Sequence, residues 1–234
     1  MSTLLQLNNV SKSYGSTPAL SGVNLSLESG KLVGLLGPNA SGKTTMIKVI
    51  NGLLKNYSGE VVIDGGPVGP RSKAIISYLP DTTYLSDWMK VKDAITLFSD
   101  MYPDFDSGKM DTMLHNMEID KNQKIKAMSK GTKEKMQLAL VMSRDAKIYI
   151  FDEPIGGVDP AAREYILEVI RHYRSQDSLV IISTHLITDI EEIFDQVIFL
   201  KKGQVVLFDD AQAIRDKEGK SINDLFKEVF RHVV

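Results

Sequence analysis

Residues 31–54 read KLVGLLGPNASGKTTMIKVINGLL, and three changes of pattern within them decide the architecture. The near-continuous apolar run KLVGLLG has the composition of a buried strand, the Gly-rich stretch 37–42 breaks it, and from Thr44 apolar residues recur at helical spacing. Strand, turn and helix follow one another. Within the turn, Gly37-Pro38-Asn39-Ala40-Ser41-Gly42-Lys43-Thr44 matches the P-loop pattern, in the structural context which that pattern requires. Glycine lets the backbone turn tightly enough for successive N–H groups to face phosphate oxygens, and the helix N-terminus adds partial positive charge. Lys43 is placed to bridge β and γ phosphates and the Thr44 hydroxyl to ligate Mg²⁺, with Thr45 next to it in the first helical turn. An incidental lysine in a Gly-rich turn is the rival reading, disfavoured because motif and flanks agree.

Outward from this segment, the first third alternates apolar and polar residues, Leu4 to Val10 and Val23 to Leu27, as antiparallel strands do. The stretch GEVVIDGGPVGPRS (59–72) reads as turn-rich, and AIISYLP (74–80) as a strand. From about Val91 to Arg144 the pattern is helical with no clear strand. Strand character returns in KIYIFDE (147–153); a helix over 161–175, the strand SLVIISTH (178–185), a further helix, and a hairpin turned at Lys202 and Gly203 follow. The tail from Ile222 to Val234 reads as a short amphipathic helix. The expected fold class is α/β: a P-loop NTPase (RecA-like) core with a mainly parallel sheet, an N-terminal antiparallel β-subdomain and an inserted helical subdomain. Residues 1–80 and 146–215 form the core with the β-subdomain, 81–145 the helical part, and 220–234 the C-terminal helix.

The whole composition narrows the setting. The chain has 234 residues with a formal net charge of −2, so no overall field points to nucleic acid or an anionic membrane. It has no cysteine, which excludes a disulfide framework and a thiolate metal site. No apolar run approaches the roughly 20 residues that a spanning helix needs, and the start lacks the pattern of a secretory signal.

A second acidic element is Ile148-Tyr-Ile-Phe-Asp152-Glu153-Pro154: four apolar residues deliver two carboxylates to the C-terminal end of a strand, the edge where parallel sheets bind ligands. Asp152 is placed to hold the magnesium shell and Glu153 to act as general base on water. Taken alone, such a strand end is as often structural; beside a P-loop, the functional reading prevails.

At this point the sequence resembles the ABC ATPase family over nearly its whole length. Met128-Ser129-Lys130-Gly131-Thr132 is similar to the family signature LSGGQ, with Met128, Lys130 and Thr132 departing from it. The resemblance implies that Ser129 and Gly131 contact the γ-phosphate of nucleotide held by an opposite subunit; read without it, SKGTKEK is a helix cap with solvated charges. Gly156-Gly157-Val158-Asp159-Pro160 resembles the family's D-loop, which makes Asp159 an intersubunit contact, against a plain turn and N-cap. His185 matches the switch histidine and Tyr14 the aromatic that stacks on adenine, while a structural histidine and a half-packed strand tyrosine are the plain alternatives.

The resemblance therefore implies an ATP- and Mg²⁺-dependent ATPase that pairs with a second cassette. It would work at the cytoplasmic face of the membrane through a separate spanning subunit, with no nucleic-acid partner. Among family members the chain is similar to small bacterial ABC-2-type exporter cassettes, including those that handle amphipathic peptides. A soluble assembly ATPase of the same family, and a small-molecule kinase that would leave the signature-like and D-loop-like segments without a role, are the competing classes. The family generally carries glutamine where this chain has Asp81, a shorter and charged side chain that can still join a magnesium shell through water. Asp81→Ala is expected to lower ATP turnover more than nucleotide affinity, as read by phosphate release against a binding titration; unchanged turnover would remove Asp81 from the site.

Overall fold

The computed structural model describes residues 2–231. Alternation in the first third produces two long strands, β1 (Thr3–Tyr14) and β2 (Thr17–Glu28), whose residues Leu5, Leu7, Val23, Leu25 and Leu27 are buried, with the more exposed Gln6, Asn8, Asn24 and Ser26 between or beside them. The apolar run becomes β3 (Leu32–Leu36), buried at every position, and the chain then turns into α1 (Lys43–Ile50). There follow β4 (Ser58–Ile63), the short β5 (Gly66–Pro67), α2 (Pro70–Ala74) and β6 (Ile76–Leu79). Three helices come next: α3 (Val91–Met101), α4 (Ser107–Asn116) and α5 (Lys130–Met142). The chain continues through β7 (Ile148–Asp152), α6 (Pro160–Tyr173), β8 (Leu179–Thr184), β9 (Gln196–Lys201), β10 (Gln204–Asp210), α7 (Ala211–Glu218) and α8 (Ile222–Phe230).

The strands form two sheets. One is antiparallel, in the order β2-β1-β4-β5; the other has the order β10-β9-β3-β8-β7-β6, parallel except for the edge strand β10. Side chains alternate across the six-stranded sheet and divide the interior into two cores. Leu36, Tyr149, Phe151, Val180, Ile182 and Phe199 face a core shared with α4, α5, α6 and α8. Leu35, Ile148, Ile150, Ile181 and Ile198 face one shared with α1 and the antiparallel sheet. Each fully buried apolar side chain of this size contributes about 1.5–3 kcal/mol, so a one-residue slip of any central strand would exchange the two cores at large cost. Since β3, β7 and β8 all run parallel in the middle of this sheet, the ends that bear Gly37, Asp152 and His185 emerge together.

Two expectations are corrected. Residues 58–63 are a strand, because β1 offers an open edge and Val61 and Ile63 bury against it; three apolar residues between glycines gave too short a pattern to reveal this alone. The segment after His185 is not an α-helix but a set of turns with a 3₁₀ turn at Glu191–Ile193. The six-residue β8 rises about 20 Å, and β9 must start again at the far end of the sheet. The 11 intervening residues would climb only about 16 Å as an α-helix. Looser turns make up the distance, and Asp195 closes the return by accepting the Leu32 N–H at 2.7 Å. The hairpin at Lys202 and Gly203 forms with both residues at positive φ, 48° and 78°, as a primed turn requires. The tail helix runs Ile222–Phe230, and residues 232–234 of the expected helix lie outside the described residues.

The helices between β6 and β7 are tied to the sheet by Arg144, whose side chain is only 2% exposed. It makes a two-pronged contact with Asp104 (3.0 Å for each bond), donates to the carbonyls of Ile76 (2.6 Å) and Ala74, and lies 3.8 Å over the Tyr102 ring. Four of its N–H donors are thus spread over a carboxylate and two carbonyls, a pattern lysine cannot reproduce. Arg144→Ala strands those acceptors and is expected to cost about 3 kcal/mol, lowering Tm by roughly 6–12 °C in thermal unfolding followed by circular dichroism. Arg144→Lys should recover only part of that loss, and an unchanged Tm in the alanine variant would show that the contact carries no stability.

Candidate active site

Close packing fixes the turn between β3 and α1. A Cβ on Gly37 would lie 2.5 Å from the Leu200 carbonyl oxygen, and one on Gly42, at φ 110°, 2.5 Å from the Ala19 carbonyl oxygen. Both positions therefore demand glycine, one for space and the other for space and conformation. Ala40 is also left-handed, at φ 61°. The Gly203 N–H donates to the Ser41 carbonyl at 2.8 Å, so the β9–β10 hairpin braces the turn from behind. At the start of α1 no side chain caps the helix and no acidic residue occupies the first turn, which leaves its N–H groups and partial positive charge directed at an incoming anion.

Lys43 is 6% exposed and bends back over this turn, donating to the Gly37 carbonyl at 2.7 Å and the Pro38 carbonyl at 3.3 Å, with the Glu153 Oε1 at 3.5 Å. Burial lowers its pKa below the usual ammonium value, and the Glu153 and Asp152 carboxylates oppose that shift. Asp152 ends β7 at 1% exposure. Burial pushes its carboxyl above the ordinary aspartate range, with the Ser183 and Thr44 hydroxyls pulling the other way and the Asp81 and Glu153 charges adding to the rise. Ser183 is the residue that sequence reasoning missed. Its hydroxyl donates to Asp152 Oδ1 at 2.5 Å and accepts the Glu153 N–H at 3.1 Å. The available signal was a fully buried hydroxyl pair, Ser183-Thr184, in the otherwise apolar strand LVIIST.

Glu153 takes a left-handed backbone, φ 53°, which is uncommon outside glycine and asparagine. Two bonds from its N–H, to the Ser183 carbonyl (3.0 Å) and hydroxyl, hold it there. Its side chain thereby turns inward toward Lys43 on one oxygen and His185 Nδ1 on the other at 2.9 Å. That last contact places the His185 proton on Nδ1. The structure thus brings Lys43, Asp152, Glu153 and His185 around the mouth of the P-loop, with Asp81 close enough to influence Asp152.

Two buried oxygens here, Asp152 Oδ2 and Ser41 Oγ, have no hydrogen-bond partner. A carboxylate oxygen of this kind beside the Thr44 hydroxyl fits Mg²⁺, a hard cation that takes one or two protein oxygens and completes its shell with phosphate and water. Among the described residues there is no cluster of three or more His, Cys, Asp or Glu side chains that would form a self-contained metal cage.

The remaining expected residues stand apart from this cluster. Ser129 caps α5, accepting the Thr132 N–H at 3.1 Å and lying 2.8 Å from the Thr132 hydroxyl, and the space around Gly131 is open. Asp159 caps α6 by accepting the Ala162 N–H at 3.0 Å, ahead of Pro160 at the first helical position. The Lys130 ammonium crosses from the α5 tip to within 2.5 Å of the point where a Cβ on Gly157 would stand, and pairs with Glu134 at 3.7 Å. Tyr14 lies in neither core: it is 51% exposed at the end of the β1–β2 hairpin, with the Lys12 ammonium 5.3 Å from its ring centroid.

Comparison with known proteins agrees with this geometry. The ABC transporter family model matches residues 20–156. The chain is 28% identical over 207 residues to a lantibiotic transport ATP-binding protein of Streptococcus pyogenes, covering 87% of this chain and 90% of the relative. It is 29% identical to the SkfA peptide export ATP-binding protein of Bacillus subtilis, covering 87% of each chain. The solved structure of an ATP-binding subunit of an ABC transporter superposes with a TM-score of 0.87 at 26% identity, over 97% of this chain and 99% of that one. No helix among the described residues is long and apolar enough to cross a membrane. The chain belongs to the ABC transporter family, as an ATP-binding, ATP-hydrolysing subunit.

Proposed function

We propose that this subunit drives export of a small amphipathic peptide through a separate membrane-spanning chain, with Glu153 as the base that activates water. One observation carries the catalytic part: a left-handed residue at a strand end points a carboxylate between the P-loop lysine and a histidine. Non-glycine residues hold such a conformation where the surroundings impose it, and these positions concentrate at functional sites. The cargo class is supported by the lantibiotic-transport and peptide-export relatives.

In this reading the amides of residues 37–42 and the first turn of α1, including Thr44 and Thr45, cradle the β and γ phosphates of ATP. Lys43 leaves the Gly37 and Pro38 carbonyls for the phosphates, since its lowered pKa reflects a cation held where it is poorly solvated. Thr44 and Asp152 would hold Mg²⁺, with Asp81 as a further candidate to join its shell; when bound, the ion would neutralise charge on the phosphate oxygens. Departure of Lys43 frees Glu153 Oε1 to take a proton from the attacking water, while His185 Nδ1 holds Oε2 in place and its ring reaches toward the γ-phosphate. Ser129, Gly131 and Asp159 lie at exposed helix starts and would complete the site of a second cassette, with Tyr14 against the adenine. The helical segment 81–145 would pass the resulting motion to the spanning subunit at the cytoplasmic face of the membrane.

Glu153→Gln should keep ATP binding, lower phosphate release by about 10²–10⁴-fold, and accumulate an ATP-loaded dimer in size-exclusion chromatography. Normal turnover in that variant removes Glu153 as the base.

Asp152 gives a test with opposite signs in stability and function. Its pKa is raised in the folded chain, so the native state holds the proton more tightly than the unfolded one. Stability therefore falls as pH rises through the raised value, and at neutral pH the ionised carboxylate destabilises the nucleotide-free fold. Asp152→Asn should raise Tm at pH 7 by about 2–4 °C, equivalent to ~1 kcal/mol for a chain of this size, with a smaller gain near pH 4. The same change should weaken Mg²⁺-dependent nucleotide binding by about 100-fold in a titration. A lower Tm at pH 7 would contradict the electrostatic assignment.

A further inference from the structure

The turn that follows Glu153 and the turn that begins with His185 are joined a second time, away from the phosphate site. Arg163, in the first turn of α6, donates from Nε to the Val158 carbonyl at 3.0 Å and from Nη1 to Asp189 Oδ2 at 2.6 Å. Val158 lies in the segment between β7 and α6, five residues after Glu153; Asp189 lies four residues after His185. The two segments therefore touch at an inner point, Glu153 Oε2 to His185 Nδ1, and at an outer one, Arg163 to Asp189.

Each segment is also anchored close to the arginine. Ile155 and Val158 are buried on one side, Ile187 and Ile190 on the other, so little slack lies between the outer contact and the inner one. The Glu153 carbonyl accepts the Gly156 N–H at 3.0 Å, which makes the backbone from Glu153 onward a tight turn that transmits displacement rather than absorbing it. In the other segment the Thr184 hydroxyl accepts the Leu186 N–H at 3.0 Å and fixes the exit from β8 beside His185.

We propose that Arg163 is a positioning residue: by binding the Val158 carbonyl and the Asp189 carboxylate together, it sets the turn behind Glu153 against the turn behind His185 and holds these two side chains in register for hydrolysis. The guanidinium suits this task because its donors form a rigid fork that can serve two acceptors at once, where an ammonium acts as a point charge. The ion pair is partly exposed, with side-chain exposures of 27% and 41%, and pairs so placed add little to stability. Its value is therefore geometric, and a small misplacement of a base can slow a reaction by up to about 10²-fold.

The inference rests on the reading of Glu153 as the base, and a double-mutant cycle on the full chain tests the two separately. Arg163→Ala, Asp189→Ala and the double variant are compared with the unaltered chain for kcat and KM in Mg-ATP hydrolysis, nucleotide affinity and Tm, with Glu153→Gln alongside. The expected result is a kcat about tenfold lower in each single variant, no further loss in the double one, and nucleotide affinity and Tm close to the unaltered values. Unchanged kcat in Arg163→Ala, losses that multiply in the double variant, or a fall in kcat matched by losses of affinity and Tm would each overturn the positioning role. If Glu153→Gln hydrolyses normally, the assignment of the base has failed instead; if it is inactive while Arg163→Ala is normal, only the positioning inference has failed.

Discussion

Two carboxylates of opposite character stand side by side at the end of one strand because the Ser183 hydroxyl engages both, donating to Asp152 and accepting the backbone N–H of Glu153. Without that donor, Asp152 would be a buried charge with no compensating hydrogen bond from the sheet, a costly arrangement. Without that acceptor, the left-handed turn that sends the Glu153 side chain toward Lys43 and His185 would keep only the Ser183 carbonyl as partner of its N–H. The site is thus set by the register between β7 and β8, in which Asp152 lies opposite Ser183. A slip of one residue there would turn the hydroxyl to the other face and leave both acidic groups unsupported.

The same logic governs the phosphate turn. Its conformation is held by backbone from elsewhere in the chain, Leu200, Gly203 and Ala19, and by the Lys43 ammonium across its Gly37 and Pro38 carbonyls. The Ser41 hydroxyl and the amides of α1 are left for ligand chemistry. Lys43 sits at the centre of the turn: among the described residues its close partners are two carbonyls of the turn and the Glu153 carboxylate. On the mechanism proposed above, nucleotide binding and release of Glu153 would be two effects of one side-chain movement.

Helix starts contribute the second group of candidate residues, and here the local role is on view beside the intersubunit role proposed for them. Ser129 and Asp159 each accept an N–H three residues onward, which is sufficient reason for their residue types in an isolated chain. Both are also exposed; a phosphate presented by a partner could take the Ser129 hydroxyl and the N–H groups of α5 without disturbing the core, while the Asp159 carboxylate could only accept from a partner's donor. Lys130, a departure from the family signature, bridges these two regions by lying over Gly157, whose φ of 75° favours glycine there.

By itself the sequence determined the α/β class, the strand–turn–helix that cradles phosphate, the acidic strand end and the hairpin at Lys202 and Gly203, because each of these is a local pattern whose chemistry and spacing lie within a few residues. Its reading of 59–72 as turn-rich missed β4, and it was misleading about the segment after His185, since the first is created by a neighbouring strand's open edge and the second by the distance that 11 residues must cover between strands. Nor could it show that Ser183 joins Asp152 to Glu153, or that Arg163 meets Asp189 and Arg144 meets Asp104. Those contacts join residues 26 to 40 positions apart: the parallel stacking of β7 and β8 brings Asp152, Ser183 and the segments bearing Arg163 and Asp189 to one edge, and backbone pairing of 104–106 with 143–145 brings Arg144 to Asp104.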